Sequence, residues 1–203
     1  MKLHLGIAGA ATVALVAGLL AGSATQAQAL KPAAAFTADG KLEFPKDYRT
    51  WIFLSSGFDM TYGPNAPTNT SHHMFDNVFV DRAAYEDFLR TGRWPEGSFF
   101  VLEIRGGQGE GSINKGGQFQ TGRMAVEVHL KDKRYPSGWA FFGFNGEQPA
   151  QALPQTSACN RCHEKNAAVD TTFVQFYPTL LPIAKDKQTL SEAYLAAEKD
   201  AVK

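Results

Sequence analysis

Two cysteines and a histidine fall within five residues, Cys159-Asn160-Arg161-Cys162-His163. On one helical turn residues three apart share a face, so both sulfurs point the same way with an imidazole beside them. That is the C-x-x-C-H pattern of a covalently attached c-type haem: each thiol forms a thioether with a vinyl group, and the imidazole reaches the iron. A redox disulfide or half of a zinc site would use the same thiols. The chain has only these two cysteines, so no second pair completes a zinc site. Nor is there a thioredoxin-like βαβ context. The motif therefore predicts one haem c, held by Cys159 and Cys162, with His163 as the iron ligand.

The motif comes late. Neither Met nor His occurs in the 40 residues after His163, which excludes the order of a small electron-transfer cytochrome, with its early motif and downstream Met ligand. A sixth ligand would have to be Met60, His72, His73, Met74, Met124 or His129. His129 shares a strand face with Glu127 and Lys131 and is expected in solvent. Met124 alternates in phase with Val126, Val128 and Leu130 and is expected in the sheet core. His72 and His73 end a long polar loop, where solvent or hydrogen bonding is the expectation. An open distal position follows, suited to binding small molecules or to catalysis.

The elements that must position this motif read as a sheet followed by helices. Trp51–Leu54 and Phe75–Val80 are short apolar strands, separated by a Gly/Pro/Asn/Thr-rich loop, Gly57–His73, long enough to suggest a functional role. Asp81 caps a helix through Arg90, with Tyr85, Phe88 and Leu89 facing the core and Gly92 as terminator. Ser98–Arg105 is a strand, Gly106–Gly117 a glycine-rich loop, Met124–Lys131 an alternating strand and Trp139–Phe144 another. From Pro154 the pattern is helical, ending in Leu190–Val202 with Leu190, Ala193, Tyr194 and Ala197 apolar. The fold class is α+β: a mainly antiparallel sheet, one inserted helix and a helical C-terminal segment carrying the haem motif.

Composition narrows the partners. Twenty basic against twenty acidic residues leave no net charge, which argues against nucleic acid or an anionic membrane surface. Residues 1–29 read as a signal peptide: Lys2, an apolar run from Ile7 to Leu20, and Ala27-Gln28-Ala29 as the cleavage pattern. The expectation is a periplasmic protein with no membrane attachment after cleavage, whose residues 30–203 form a single domain. Export agrees with haem c, which bacteria attach outside the cytoplasm.

Several segments, in order, resemble the cytochrome P-460 family, which includes the cytochromes c′-beta. They are Pro45–Trp51, Tyr85–Gly92 with Pro95-Glu96-Gly97, Lys131-Asp132 with Trp139–Phe142, and Cys159–His163 followed by Phe173–Pro178. The resemblance implies a mainly antiparallel β fold, a homodimer, one haem c and an open distal site. Members named for the family oxidise hydroxylamine, and the c′-beta members bind nitric oxide and carbon monoxide. Catalytic members cross-link a strand lysine to the haem; that position falls on Leu102, which has no nucleophilic nitrogen. Their distal arginine falls on Asp76.

By strand alternation Phe100 and Ile104 share the face of Leu102, while Glu103 points away, as a proton relay or a salt bridge. With Phe75, Phe79 and Phe141 these residues would make an apolar distal pocket, suited to a neutral diatomic gas. The leading expectation is a nitric-oxide-binding cytochrome. The alternatives are a hydroxylamine-oxidising enzyme and a simple electron carrier with a protein redox partner. In every case His163→Ala should remove the proximal ligand. A purified H163A protein with an unaltered haem spectrum would overturn the motif's reading.

Overall fold

Strand alternation organises the molecule, because both faces of its sheet are covered. The computed structural model describes residues 34–62 and 72–201; the expected signal peptide lies outside the described residues. Five strands form an antiparallel meander in sequence order: β1 (Ile52–Phe58), β2 (Met74–Val80), β3 (Phe99–Gln108), β4 (Phe119–Lys131) and β5 (Trp139–Phe144). Helix α1 (Arg82–Thr91) is inserted between β2 and β3. Helices α2 (Ala158–Asn166), α3 (Leu181–Asp186) and α4 (Glu192–Ala201) follow the sheet. The α+β class read from the sequence holds. No helix among the described residues is long and apolar enough to cross a membrane.

On one face Phe99 and Val101 of β3, Val126, Val128 and Leu130 of β4, and Ala140, Phe142 and Phe144 of β5 make a core. The segment before β1 closes it with Leu42, Phe44 and Tyr48. Glu103 belongs to this face at 2% exposure. Its carboxylate accepts from Tyr48 Oη at 2.8 Å and from Arg105 Nη1 at 2.9 Å, and it pairs with Arg49. Glu103 is therefore a salt bridge on the far side of the sheet from the motif, where a lost partner would strand a buried charge.

The other face receives the C-terminal segment. Leu54, Val80, Phe100 and Trp139 from the sheet region pack with Ala84 and Phe88 of α1, Trp94, and Val169, Val174, Tyr177, Leu180 and Ala184. In α1 it is Ala84 and Phe88 that are buried; Leu89, expected inside, is 39% exposed. The last helix differs in the same way. Leu190 and Tyr194 touch the core, but α4 starts at Glu192 and its described side chains are otherwise largely exposed, Ala193 and Ala197 included.

One carboxylate joins helix to sheet. Asp81 is fully buried; one of its oxygens accepts from Ala84 N at 2.8 Å, capping α1, and the other accepts from Phe99 N at 3.0 Å at the start of β3. At the far end Gly92 closes the helix with φ +71°, and a Cβ there would lie 2.7 Å from Lys187 Cβ. Asp81→Ala loses the cap and leaves a buried strand amide unpaired, so it should lower stability by about 2–3 kcal/mol in urea unfolding. A change within experimental error would show that the carboxylate does not join the two elements.

Candidate functional site

The local fold of α2 aims the motif. Ser157 caps the helix, its Oγ accepting from Asn160 N at 3.3 Å. The buried Asn160 side chain donates to Pro154 O at 3.1 Å and to Ser157 Oγ at 3.0 Å, tying the first turn to the loop before it. The variable positions of the C-x-x-C pair thus have different jobs: Asn160 anchors, and Arg161 lies exposed. Cys159 and Cys162 are free thiols, and with His163 they line a cavity of about 480 Å³ between α2 and the sheet. Burial, with Glu127 nearby, pushes the Cys159 thiol up.

His163 is held on all sides. Its Nδ1–H donates to the Thr171 carbonyl at 2.7 Å, which fixes the tautomer and leaves Nε2 as a lone pair. Phe173, Phe141 and His129 surround the imidazole at ring-centroid distances of 4.1, 4.6 and 5.1 Å. Burial pulls its pKa down, against the opposing effect of the Thr171 bond. The ring is thus neutral at physiological pH, the form that binds a metal.

Across the cavity, the residues facing α2 come from alternate positions of three strands. Val78 pairs with Leu102 and Leu102 with Glu127, while Asp76 pairs with Ile104. All five line the cavity, with Ser55 and Gly57 of β1 and with Met60 and Tyr62 just beyond it. A Cβ on Gly57 would meet the Met60 side chain, which would have to move aside. The distal wall is therefore not apolar throughout. Burial, then Asp59, pushes the Asp76 carboxyl up; burial, then Asp76, pushes Glu127 up. Burial together with Asp76 also raises Tyr62. Lysine and arginine are absent from the described lining.

The structure sorts the expected pocket residues into three groups. Leu102 and Asp76 face the cavity on the distal wall. Phe100 and Phe141 also line it, but Phe141 packs on His163 and Phe100 lies beside His129, so both sit on the proximal side. Phe75 and Phe79 are not in the cavity. They alternate out of phase with Asp76 and Val78, and they pack against Phe58 and against Tyr48 and Phe53.

Among the sixth-ligand candidates, Met60 and Met74 reach the lining. His73 instead pairs with Asp59 at 2.5 Å and stacks on Phe58. Two expectations reverse. Met124 is 59% exposed, and His129 is only 8% exposed, with its pKa held well below the usual value by burial and by His163. Glu127, Tyr62, Thr171 and Phe173 entered no sequence-based pocket. The last two follow the motif closely, and Phe173 also opens the Phe173–Pro178 segment that carries part of the family resemblance.

The donor set suits the cofactor that the motif predicts: paired thiols on one helix face, one free imidazole nitrogen, and a mainly apolar cavity. No group of three or more His, Cys, Asp or Glu residues able to hold a bare metal ion occurs among the described residues. Residues 45–174 match a family model described as Cytochrome P460. No curated protein matches the chain.

The raised Asp76 pKa carries a stability consequence. A carboxyl whose folded-state pKa lies above its unfolded value costs stability where it is ionised, and that cost disappears as pH falls through the folded pKa. Asp76→Asn should therefore raise the melting temperature at pH 8, with the advantage lost near pH 4. A variant melting at or below wild type at pH 8 would refute this.

Proposed function

Because the chain belongs to the cytochrome P460 family, a family of haem-binding cytochromes, we propose that it is an exported, periplasmic monohaem c-type cytochrome that binds nitric oxide. The observation that carries this reading is the asymmetry of the cavity. One wall presents a single neutral imidazole nitrogen, fixed by Thr171. The facing wall presents Val78, Leu102 and Ile104, bordered by the Asp76 and Glu127 carboxyls.

In this reading Cys159 and Cys162 hold the haem through thioethers, and His163 Nε2 holds its iron. The bound group supplies a redox-active, Lewis-acidic centre. The protein's own contribution is to orient it. Phe141 and Phe173 fix the plane of the imidazole, and Leu102 with Val78 and Ile104 forms the apolar part of the opposite wall. A neutral diatomic needs no proton transfer to bind, which suits a wall whose central residue is leucine.

Hydroxylamine oxidation is the second reading, and one observation favours it: Asp76 and Glu127 place carboxyls at the cavity whose pKa burial raises, the kind of group that can exchange protons with a substrate. Against it stands Leu102, at the position where the family's catalytic members use a cross-linking lysine.

Optical spectra of the purified protein separate the readings. The expected result is a high-spin ferric c-haem whose ferrous form takes up nitric oxide, with no turnover of hydroxylamine. A red-shifted ferrous Soret band with hydroxylamine turnover would establish the second reading. A low-spin spectrum indifferent to gas would sink both and would point to Met60 or Met74 as a ligand. In a denaturing gel stained for haem, the wild-type band should keep its stain and Cys159→Ser/Cys162→Ser should lose it; a stained double variant would refute covalent attachment.

A further inference from the structure

We propose that His129 is a positioning residue for the proximal ligand, acting through Thr171 to set how strongly His163 binds iron. The inference rests on His163 being that ligand. His129 Nε2 and Thr171 Oγ1 share a hydrogen bond of 3.1 Å, and the carbonyl of the same Thr171 accepts from His163 Nδ1–H at 2.7 Å. One residue thus takes His129 on its side chain and His163 on its backbone.

The turn carrying Thr171 is gripped at three successive residues. Asp170, at φ +51°, pairs with Lys131 at 3.3 Å and with Arg93 at 3.6 Å. Thr171 is held by His129. The Thr172 hydroxyl accepts from Trp94 Nε1 at 2.7 Å and donates to Val169 O at 2.8 Å. His129 and Lys131 are two apart on β4, so they project from one face and reach neighbouring residues of the turn. The grip at Asp170 and Thr171 therefore comes from a sheet strand, the most rigid support the fold offers.

Packing alone would not call for an imidazole here. The ring lies between Phe141, stacked at 3.9 Å and 12°, and Trp139 at 4.3 Å, a slot that another aromatic ring would fill. Burying a polar ring costs free energy unless it is hydrogen-bonded, and its Nε2 bonds the residue that orients His163. Outer partners of this kind set the tautomer, orientation and basicity of a ligating imidazole.

Loosening Thr171 weakens acceptance from Nδ1–H, leaves the imidazole a poorer electron donor, and weakens its bond to iron. The experiment uses the haem-loaded protein and three variants. Thr171→Val removes the hydroxyl at nearly constant shape, Thr171→Ser keeps it, and His129→Phe keeps a stacking ring. The readouts are the iron–histidine stretching band of the ferrous protein in resonance Raman and the haem midpoint potential.

The expectation is a lower stretching frequency and a higher potential in T171V and H129F, wild-type values in T171S, and no further shift when T171V and H129F are combined. If H129F fails to load haem, the contrast between T171V and T171S carries the test. Wild-type frequency and potential in T171V would overturn the inference while leaving the haem reading intact. A wild-type protein that is five-coordinate and high-spin in the ferrous state and still shows no iron–histidine band would overturn that reading and the inference with it; in a six-coordinate protein the midpoint potential carries the comparison.

Discussion

The hydrogen bond from His163 Nδ1–H to the Thr171 carbonyl is the constraint on which the site depends. It joins α2 to the turn that follows it, and everything behind that turn serves to hold the carbonyl still. Trp94, just after α1, supports Thr172. β4 supports Asp170 and Thr171, and the aromatic side chains of β5 close over His129 and His163. A carbonyl free to rotate would leave the imidazole two tautomers and a range of ring angles. Fixed, it leaves one nitrogen facing the cavity.

The sheet makes this possible by having two covered faces with different duties. The face toward the N-terminal segment is a dense apolar core, interrupted by the Glu103 cluster with Tyr48, Arg49 and Arg105. The face toward α2 is divided. At one end Phe100 and Trp139 pack against the C-terminal segment; at the other, Asp76, Leu102 and Glu127 border the cavity. Glu127, His129 and Lys131 lie in phase on β4, yet they meet a cavity, a threonine and an aspartate in turn.

That division explains what could be read from the chain alone. The bounds of β5, the Asp81 cap, the Gly92 terminator and the motif are local features with local causes, and the structure repeats them. The cavity-facing phase of Phe100, Leu102 and Ile104 followed from alternation. What alternation cannot supply is which face meets water. His129 shared a phase with charged residues and was expected in solvent, but the C-terminal segment covers that face.

Irregular backbone hid other features. β1 has a register shift between Phe53 and Ser55, which reverses its phase. Leu54 therefore enters the core while Ser55 and Gly57 face the cavity. Register shifts near Arg105 accompany β3 running on to Gln108, into the segment read as a glycine-rich loop, and β4 starting at Phe119, ahead of the expected Met124. Phe75 and Phe79 were assigned by residue type, and strand phase puts them on the other side.

The cavity also bears on how the molecule is assembled. Its walls come from two stretches of chain, one from Ser55 to Phe141 and one from Ala158 to Tyr177, which meet on the proximal side, where Phe141 packs on His163 and His129 bonds Thr171, and enclose about 480 Å³ beyond that seam. A group filling that space would touch both walls at once, and contacts made only in the folded state would add to its stability. Whatever spans both walls therefore ties the C-terminal segment to the sheet at a second place, beyond the seam at Thr171.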